Sequence, residues 1–302
     1  MVKVLGPTYP ITFNRSKNKM KELVRIYKMA ASKLDRPPIV YFVSEGGNDE
    51  DDLIEEDAAD VGGPLREFFY IAIETLMSCT NPHMFEGDHG HKVPVHSQQL
   101  VLQGLFKMAG QALAHAILHG KFHIVGLARP VVVFLETGCM ETACSSVTME
   151  DVPDLEVKKM LRVIMEADDE HIIKLQADDA VINLMIQCGV SASLLSKNNA
   201  TEVAYECMIY QVVQKRFAEL KQLRDGLNVL GLLQLVENHP KVSKEIFHSP
   251  DEATVQFDVL KRRVKRDPCS PMGTNTDQAF QFLLQYLEET CQRESGMLRM
   301  VC

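Results

Sequence analysis

Tryptophan is absent from the 302 residues, and aromatic residues make up only 7% of them. A core built from this chain must therefore be filled by aliphatic side chains, methionine and a small set of phenylalanines. Cysteine occurs eight times but never as Cys-x-x-Cys. That excludes a zinc ribbon and argues against a disulfide framework, pointing instead to a reducing compartment, cytoplasmic or nuclear. No apolar run is long enough to cross a bilayer, because the longest, Ile124 to Leu135, is interrupted by Arg129 and Pro130. The first residues, Met1 to Pro7, lack the apolar stretch and cleavage pattern of a secretory signal. Positive charge is also short: 32 Lys and Arg stand against 41 Asp and Glu, a net charge of -9. Sequence-independent nucleic-acid binding is excluded on that balance. No internal repeat or low-complexity linker divides the chain.

At 46% hydrophobic and 24% charged, the sequence is that of an ordinary globular chain able to bury a large core. Its periodicity predicts a mainly α fold with a few short strands, an α+β class. Met20, Leu23, Val24, Tyr27, Ala31 and Leu34 mark a first amphipathic helix. Ile39 to Val43 reads as a buried strand. Residues 44–60 form an acidic loop, with Asp49 to Asp52, Glu55, Glu56, Asp57 and Asp60, whose spacing matches no calcium-binding loop. Leu100 to His119 reads as one mostly buried helix, with Gly104, Ala109, Gly110, Ala112, Ala114 and Ala116 permitting close helix approach. Pro130 opens a short helix and Gly138 follows its end. Thr148 to Asp151 has the form of a helix-start cap, although Pro153 moves the start a few residues on. Further helices follow at Leu155 to Met165, at Ala180 to Cys188, and from Asn199 to about Asp225. Two shorter helices flank Pro240, and Phe280 to Leu287 belong to a last helix. Val255, Phe257 and Val259 alternate as a strand, with Lys261 to Arg266 forming a solvated basic strand edge, or else an import signal or a partner patch.

Histidine invites a metal reading at two places. His83, His89, His91 and His96 fall within fourteen residues, but no cysteine joins them, so a solvated loop is the expectation. His115 and His119 lie one helical turn apart, yet Ala116 stands where a zinc hydrolase needs its glutamate. Neither a metal nor a cofactor is implied.

One stretch organises the rest: Asp60-Val61-Gly62-Gly63-Pro64-Leu65-Arg66-Glu67-Phe68-Phe69. The glycines allow a sharp turn or a close approach, and Pro64 suits the first turn of a helix. Phe68, Phe69, Ile71, Ala72 and Leu76 then form its apolar face. The bland reading is a turn feeding a buried helix. The wording, however, resembles the signature near the start of the HECT ubiquitin-ligase domain. Phe85-Glu86-Gly87, the run Gly110 to Gly120, and the run from Tyr205 through Gln211 and Phe217 to Gly226-Leu227 resemble later segments of that domain in the same order.

The resemblance implies an amino-terminal lobe over residues 11–290, preceded by a tail at 1–10 and followed by an irregular tail at 291–302. It also implies a ubiquitin-conjugating enzyme as partner, with ubiquitin passing to a cysteine on a mobile carboxy-terminal lobe and then to a lysine of a protein substrate. That cysteine ordinarily follows Leu-Pro and a Thr or Ser. Here Cys291 follows Thr290 without Leu-Pro, Cys302 is the last residue, and the 52 residues after Pro250 are too few for another lobe. The expectation is a ligase-type chain lacking its catalytic lobe, with Cys291 the weak catalytic candidate. The alternative is a non-catalytic helical scaffold for ubiquitin-pathway partners. Residues 166 to 200 read as helical, without the strands usual in the family's conjugating-enzyme dock.

Overall fold

Strand β1 (Tyr9–Asn14) alternates buried and exposed from Tyr9 to Phe13, and the chain then crosses through helix α1 (Lys19–Ala30) to strand β2 (Pro38–Glu45). The computed structural model describes residues 7–30, 33–45, 53–55, 62–248, 261–262, 264–265 and 274–292. β1 and β2 are parallel, with Tyr9 opposite Pro38 and Asn14 opposite Val43. β1 has no counterpart in the sequence reading, which places a tail at 1–10; Tyr9 and Pro10 belong to the sheet. The proline is tolerated because β1 lies at the sheet edge.

Within the expected acidic loop, Leu53–Glu55 form strand β3, antiparallel to β2 with Glu55 opposite Val43. The part of the loop at 53–55 is therefore sheet, because the free edge of β2 offers backbone partners that outweigh the local charge.

Helix α2 (Gly63–Ser78) starts with Pro64 in its first turn, and Phe68, Phe69, Ile71, Ala72 and Leu76 are buried as expected. Gly62 sits in the right-handed region at φ -100°, so the turn before the helix does not exploit a left-handed glycine there. A small hairpin follows, β4 (Phe85–Glu86) against β5 (Val93–Pro94).

The expected single helix over Leu100 to His119 is broken. Helix α3 (Gln98–Leu102), capped by Ser97, ends before Gly104, whose φ of 72° no helix interior accommodates. Helix α4 (Leu105–His115) then runs into a single π turn over Ala116–Gly120. Strand β6 (Ile124–Val125) and helices α5 (Arg129–Thr137) and α6 (Met140–Cys144) come next.

Thr148 and Asp151 do form a capping box, but it closes a 3-10 turn. Helix α7 (Leu155–Glu166) is capped instead by Asp154, whose carboxylate accepts from the amides of Glu156 and Val157. Asp168 and Asp178 open α8 (Asp169–Gln176) and α9 (Asp179–Gln187) in the same way. No strand interrupts the described residues from 166 to 200, in line with the helical reading of that segment.

The long helix expected from Asn199 to Asp225 is two: α10 (Ala200–Val212) and α11 (Phe217–Leu227), separated by a 3-10 turn at Gln214–Arg216. The tighter turn ends one apolar stripe and begins another, with Arg216 fully buried at the join. Helices α12 (Leu232–Asn238) and α13 (Pro240–Ile246) follow.

The core is centred on the packing of α4 against α11. Gly110 and Gly226 face each other there: a Cβ on Gly110 would lie 2.1 Å from the Leu223 carbonyl oxygen, and one on Gly226 2.1 Å from that of Lys107. Close approach through Gly110 matches the sequence reading. Gly226 is its counterpart inside α11.

The chain forms two compact units, residues 1–247 and 248–302. The second contains helix α14 (Thr274–Gln292), which starts earlier than the sequence suggested and includes Cys291 in its last turn. Lys261 and Arg262 are helical rather than at a strand edge. The expected strand at Val255 to Val259 lies outside the described residues.

Candidate functional site

The signature residues divide by chemistry. Phe68 and Phe69 are wholly buried, whereas Arg66 and Glu67 face outward. Phe68 meets Phe13 of β1 edge-on at 5.9 Å and Phe69 at 5.4 Å between ring centres. Glu67 pairs with Arg15 at 2.7 Å, and the Arg15 guanidinium lies 3.9 Å over the ring of Phe42. Through Glu67 and Phe68 the helix is thus clamped to β1 and β2. Asp60 lies outside the described residues.

Phe69 stands edge-on to His115 at 5.1 Å. His115 is fully buried, with Tyr9 Oη 3.2 Å from Nε2 and Tyr27 Oη 3.2 Å from Nδ1. Burial, reinforced by His119, pushes its pKa down to about 3, so the ring is neutral. A neutral imidazole donates from one nitrogen and accepts at the other, which suits two hydroxyls. The same burial raises the pKa of Tyr9 and Tyr27, with smaller contributions from Asp35 and from Tyr9 respectively. His119 donates elsewhere, its Nε2 lying 3.1 Å from the Leu34 carbonyl oxygen. The pair is a structural polar core.

The expected solvated histidine loop is partly anchored instead. His91 Nδ1 lies 2.7 Å from Asp151, and that buried carboxylate also accepts from the amide and hydroxyl of Thr148 at 2.8 Å. His96 Nδ1 lies 3.1 Å from Glu219, which is fully buried and accepts from the Ser97 amide at 2.9 Å. Buried carboxylates need such donors, and the loop supplies them. Among the described residues no group of three or more His, Cys, Asp and Glu is placed to hold a metal ion.

Two further pairs escaped sequence reasoning. Glu86 accepts from the buried Arg216 guanidinium, tying the Phe-Glu-Gly loop to the start of α11, and Phe85 stacks edge-on against Phe106 of α4 at 6.4 Å. Lys158, almost fully buried, bonds Asp88 at 3.2 Å and Glu150 at 3.3 Å. These partners are 70 to 130 residues apart in the chain, apart from Glu150, and no local pattern announces them.

The segment from α7 to the 3-10 turn Ala192–Leu194 has a different surface. Val163, Ile173, Ile186 and Leu194 are more than half exposed, and α8, α9 and that turn pack on one another. Cys291, the catalytic candidate, lies in the last turn of α14. Among the described residues no helix is long and apolar enough to cross a membrane.

No model of a known protein family matches the chain. It is similar to the G2/M phase-specific E3 ubiquitin-protein ligase of Gallus gallus, 21% identical over 197 residues, and to the protein of that name from Macaca fascicularis, 22% identical over 196. The matches cover 64% and 65% of this chain but only 25% and 27% of those proteins, so the chain spans about a quarter of the length of the curated relatives it matches. The chain is a distant relative of an E3 ubiquitin-protein ligase.

Proposed function

We propose that these residues serve ubiquitin transfer as a scaffold, the larger amino-terminal lobe of a HECT-type ligase, which receives a ubiquitin-conjugating enzyme. One observation carries this reading: the four separate segments that resemble the HECT domain meet one another. Phe69 of the signature touches His115 of the second helical segment, Phe85 stacks on Phe106 of the same helix, and Glu86 pairs with Arg216 between α10 and α11. Motifs matched by chance along a sequence have no reason to converge on one core.

The conjugating enzyme docks on the α7–α9 segment. Its exposed Val163, Ile173, Ile186 and Leu194 precede α10, the place at which the family inserts its dock. The segment is shorter and wholly helical, so the docking surface is aliphatic and reduced. Acyl transfer needs a thiolate acceptor. No cysteine of this sequence follows Leu-Pro and then Thr or Ser, so the chain holds the donor and transfer to substrate lysines is completed on another cysteine.

The test is a thioester assay with activating enzyme, ubiquitin and a panel of conjugating enzymes. The expected result is retention of at least one charged conjugating enzyme with no reductant-sensitive ubiquitin adduct on this chain. Such an adduct on Cys291 or Cys302 would overturn the scaffold reading. Retention of none of the panel would overturn the ubiquitin reading as a whole.

A further inference from the structure

Between α1 and α4 the surface opens into a cavity of about 240 Å³. Its floor is apolar, with Tyr27, Leu105 and Met108 buried there. Its edge is cationic. Lys28 stands in the last turn of α1 and Lys107 in the first turn of α4, and both are exposed. None of the described residues that line the cavity is acidic. No carboxylate among the described residues pairs with either ammonium. In a chain of net charge -9, two unpaired lysines around one apolar cavity reverse the sign locally.

The backbone adds to that field. The first helical bond of α4 runs from the Met108 amide to the Gly104 carbonyl. The amides of Leu105, Phe106 and Lys107 precede it, and Gly104 has no side chain with which to cap them. Gly104 and Leu105 line the cavity, so the positive end of α4 opens on it.

Size and charge together select the occupant. A drug-sized ligand fills about 300–1,000 Å³, more than is present here, whereas one large side chain suits the space. Cations from two helices flank that space, so the occupant needs anionic groups on both sides of its apolar part. A peptide with acidic residues before and after an anchor has them; an amphiphile with one charged end does not. We propose that this cleft is a docking site for an acidic segment of a partner protein. One large aliphatic or aromatic side chain fills the cavity, and the neighbouring carboxylates meet Lys28 and Lys107. The site uses no residue of the α7–α9 segment and does not depend on the ubiquitin reading.

The test is fluorescence polarisation of the full chain with capped, labelled seven-residue peptides. Each has one central Phe, Leu, Tyr or Met among Asp and Glu. Saturable binding of at least one is expected, weakening as salt is added. Alanine at the centre weakens it about thirtyfold, as loss of a buried anchor does. Lys28→Glu and Lys107→Glu, both at exposed and unpaired positions, each weaken it about fivefold. A benzophenone at the central position is expected to crosslink to residues 24–28 or 103–111. No saturable binding of any of these peptides up to about 1 mM would overturn the proposal. So would crosslinks confined to other residues, or affinity unchanged in both lysine variants. Equal affinity for the alanine peptide would reduce the site to surface charge and overturn the role of the cavity. Binding of decanoate without binding of any peptide would assign the cavity to a small amphiphile and overturn the peptide occupant.

Discussion

The α4–α11 pair and the α7–α9 segment are built from much the same aliphatic residues and use them in opposite ways. Between α4 and α11 the backbones touch through Gly110 and Gly226, and Phe106, Leu113, Leu220 and Leu223 are sealed from solvent. In the α7–α9 segment only part of each helix is covered. Leu161, Ile164, Ile172, Leu184 and Met185 are buried, while Val163, Ile173 and Ile186 stand in water one residue away along the chain. The first region specifies a rigid shape. The second retains apolar side chains that the described residues do not cover, the property the proposed docking segment needs.

Several substitutions break or sharpen that contrast. The largest effect is expected at the signature helix: Phe69→Ala removes a ring packed on Phe68, His115 and Phe122 and costs about 3–5 kcal/mol in urea unfolding. A loss under about 1 kcal/mol would remove the signature from the rigid region. Next is Gly110→Ala. In an open helix this change stabilises, by about 0.4–1 kcal/mol. Here the new Cβ would lie 2.1 Å from a backbone oxygen, so the sign reverses and about 3 kcal/mol is lost.

The buried histidine gives the third effect. His115 takes up its proton only near pH 3 when folded, against an ordinary 6.5, so below pH 6.5 the unfolded chain binds the extra proton. Its contribution is complete above about pH 6.5 and lost as pH falls toward 3, at about 1.4 kcal/mol per unit, or about 2 kcal/mol between pH 6.5 and 5. His119, also depressed by burial, acts in the same direction. Unfolding at both pH values measures the slope, and His115→Gln should flatten it. The smallest stability effect belongs to the open region: Ile173→Ser and Ile186→Ser each change stability by less than about 0.5 kcal/mol while abolishing retention of the conjugating enzyme. A large stability loss would place these residues in the core and not in a dock.

Much of the fold was legible where one element carries its own signal. Pro64 and the phenylalanines behind it announced α2, Pro130 and Gly138 bracketed α5, and Met20, Leu23 and Tyr27 marked α1. What could not be read depends on distant partners. Leu53–Glu55 become strand because β2 presents an open edge. The Leu100 to His119 helix splits at Gly104, and the helix from Asn199 splits so that Arg216 reaches Glu86, 130 residues away. Of the site, the burial of Phe68 and Phe69 was evident from spacing, whereas the anchoring of His91 and His96 by Asp151 and Glu219 was not. Acidic residues in an otherwise polar stretch give no sign that folding will bury them.

The most direct measurement is hydrogen exchange of the 302-residue chain with and without each of a panel of ubiquitin-conjugating enzymes. New protection confined to residues 155–195, with α4 and α11 unchanged, is the predicted result. Protection centred on α4 and α11, or no footprint from any conjugating enzyme tested, would contradict the division of this chain into a closed scaffold and an open dock.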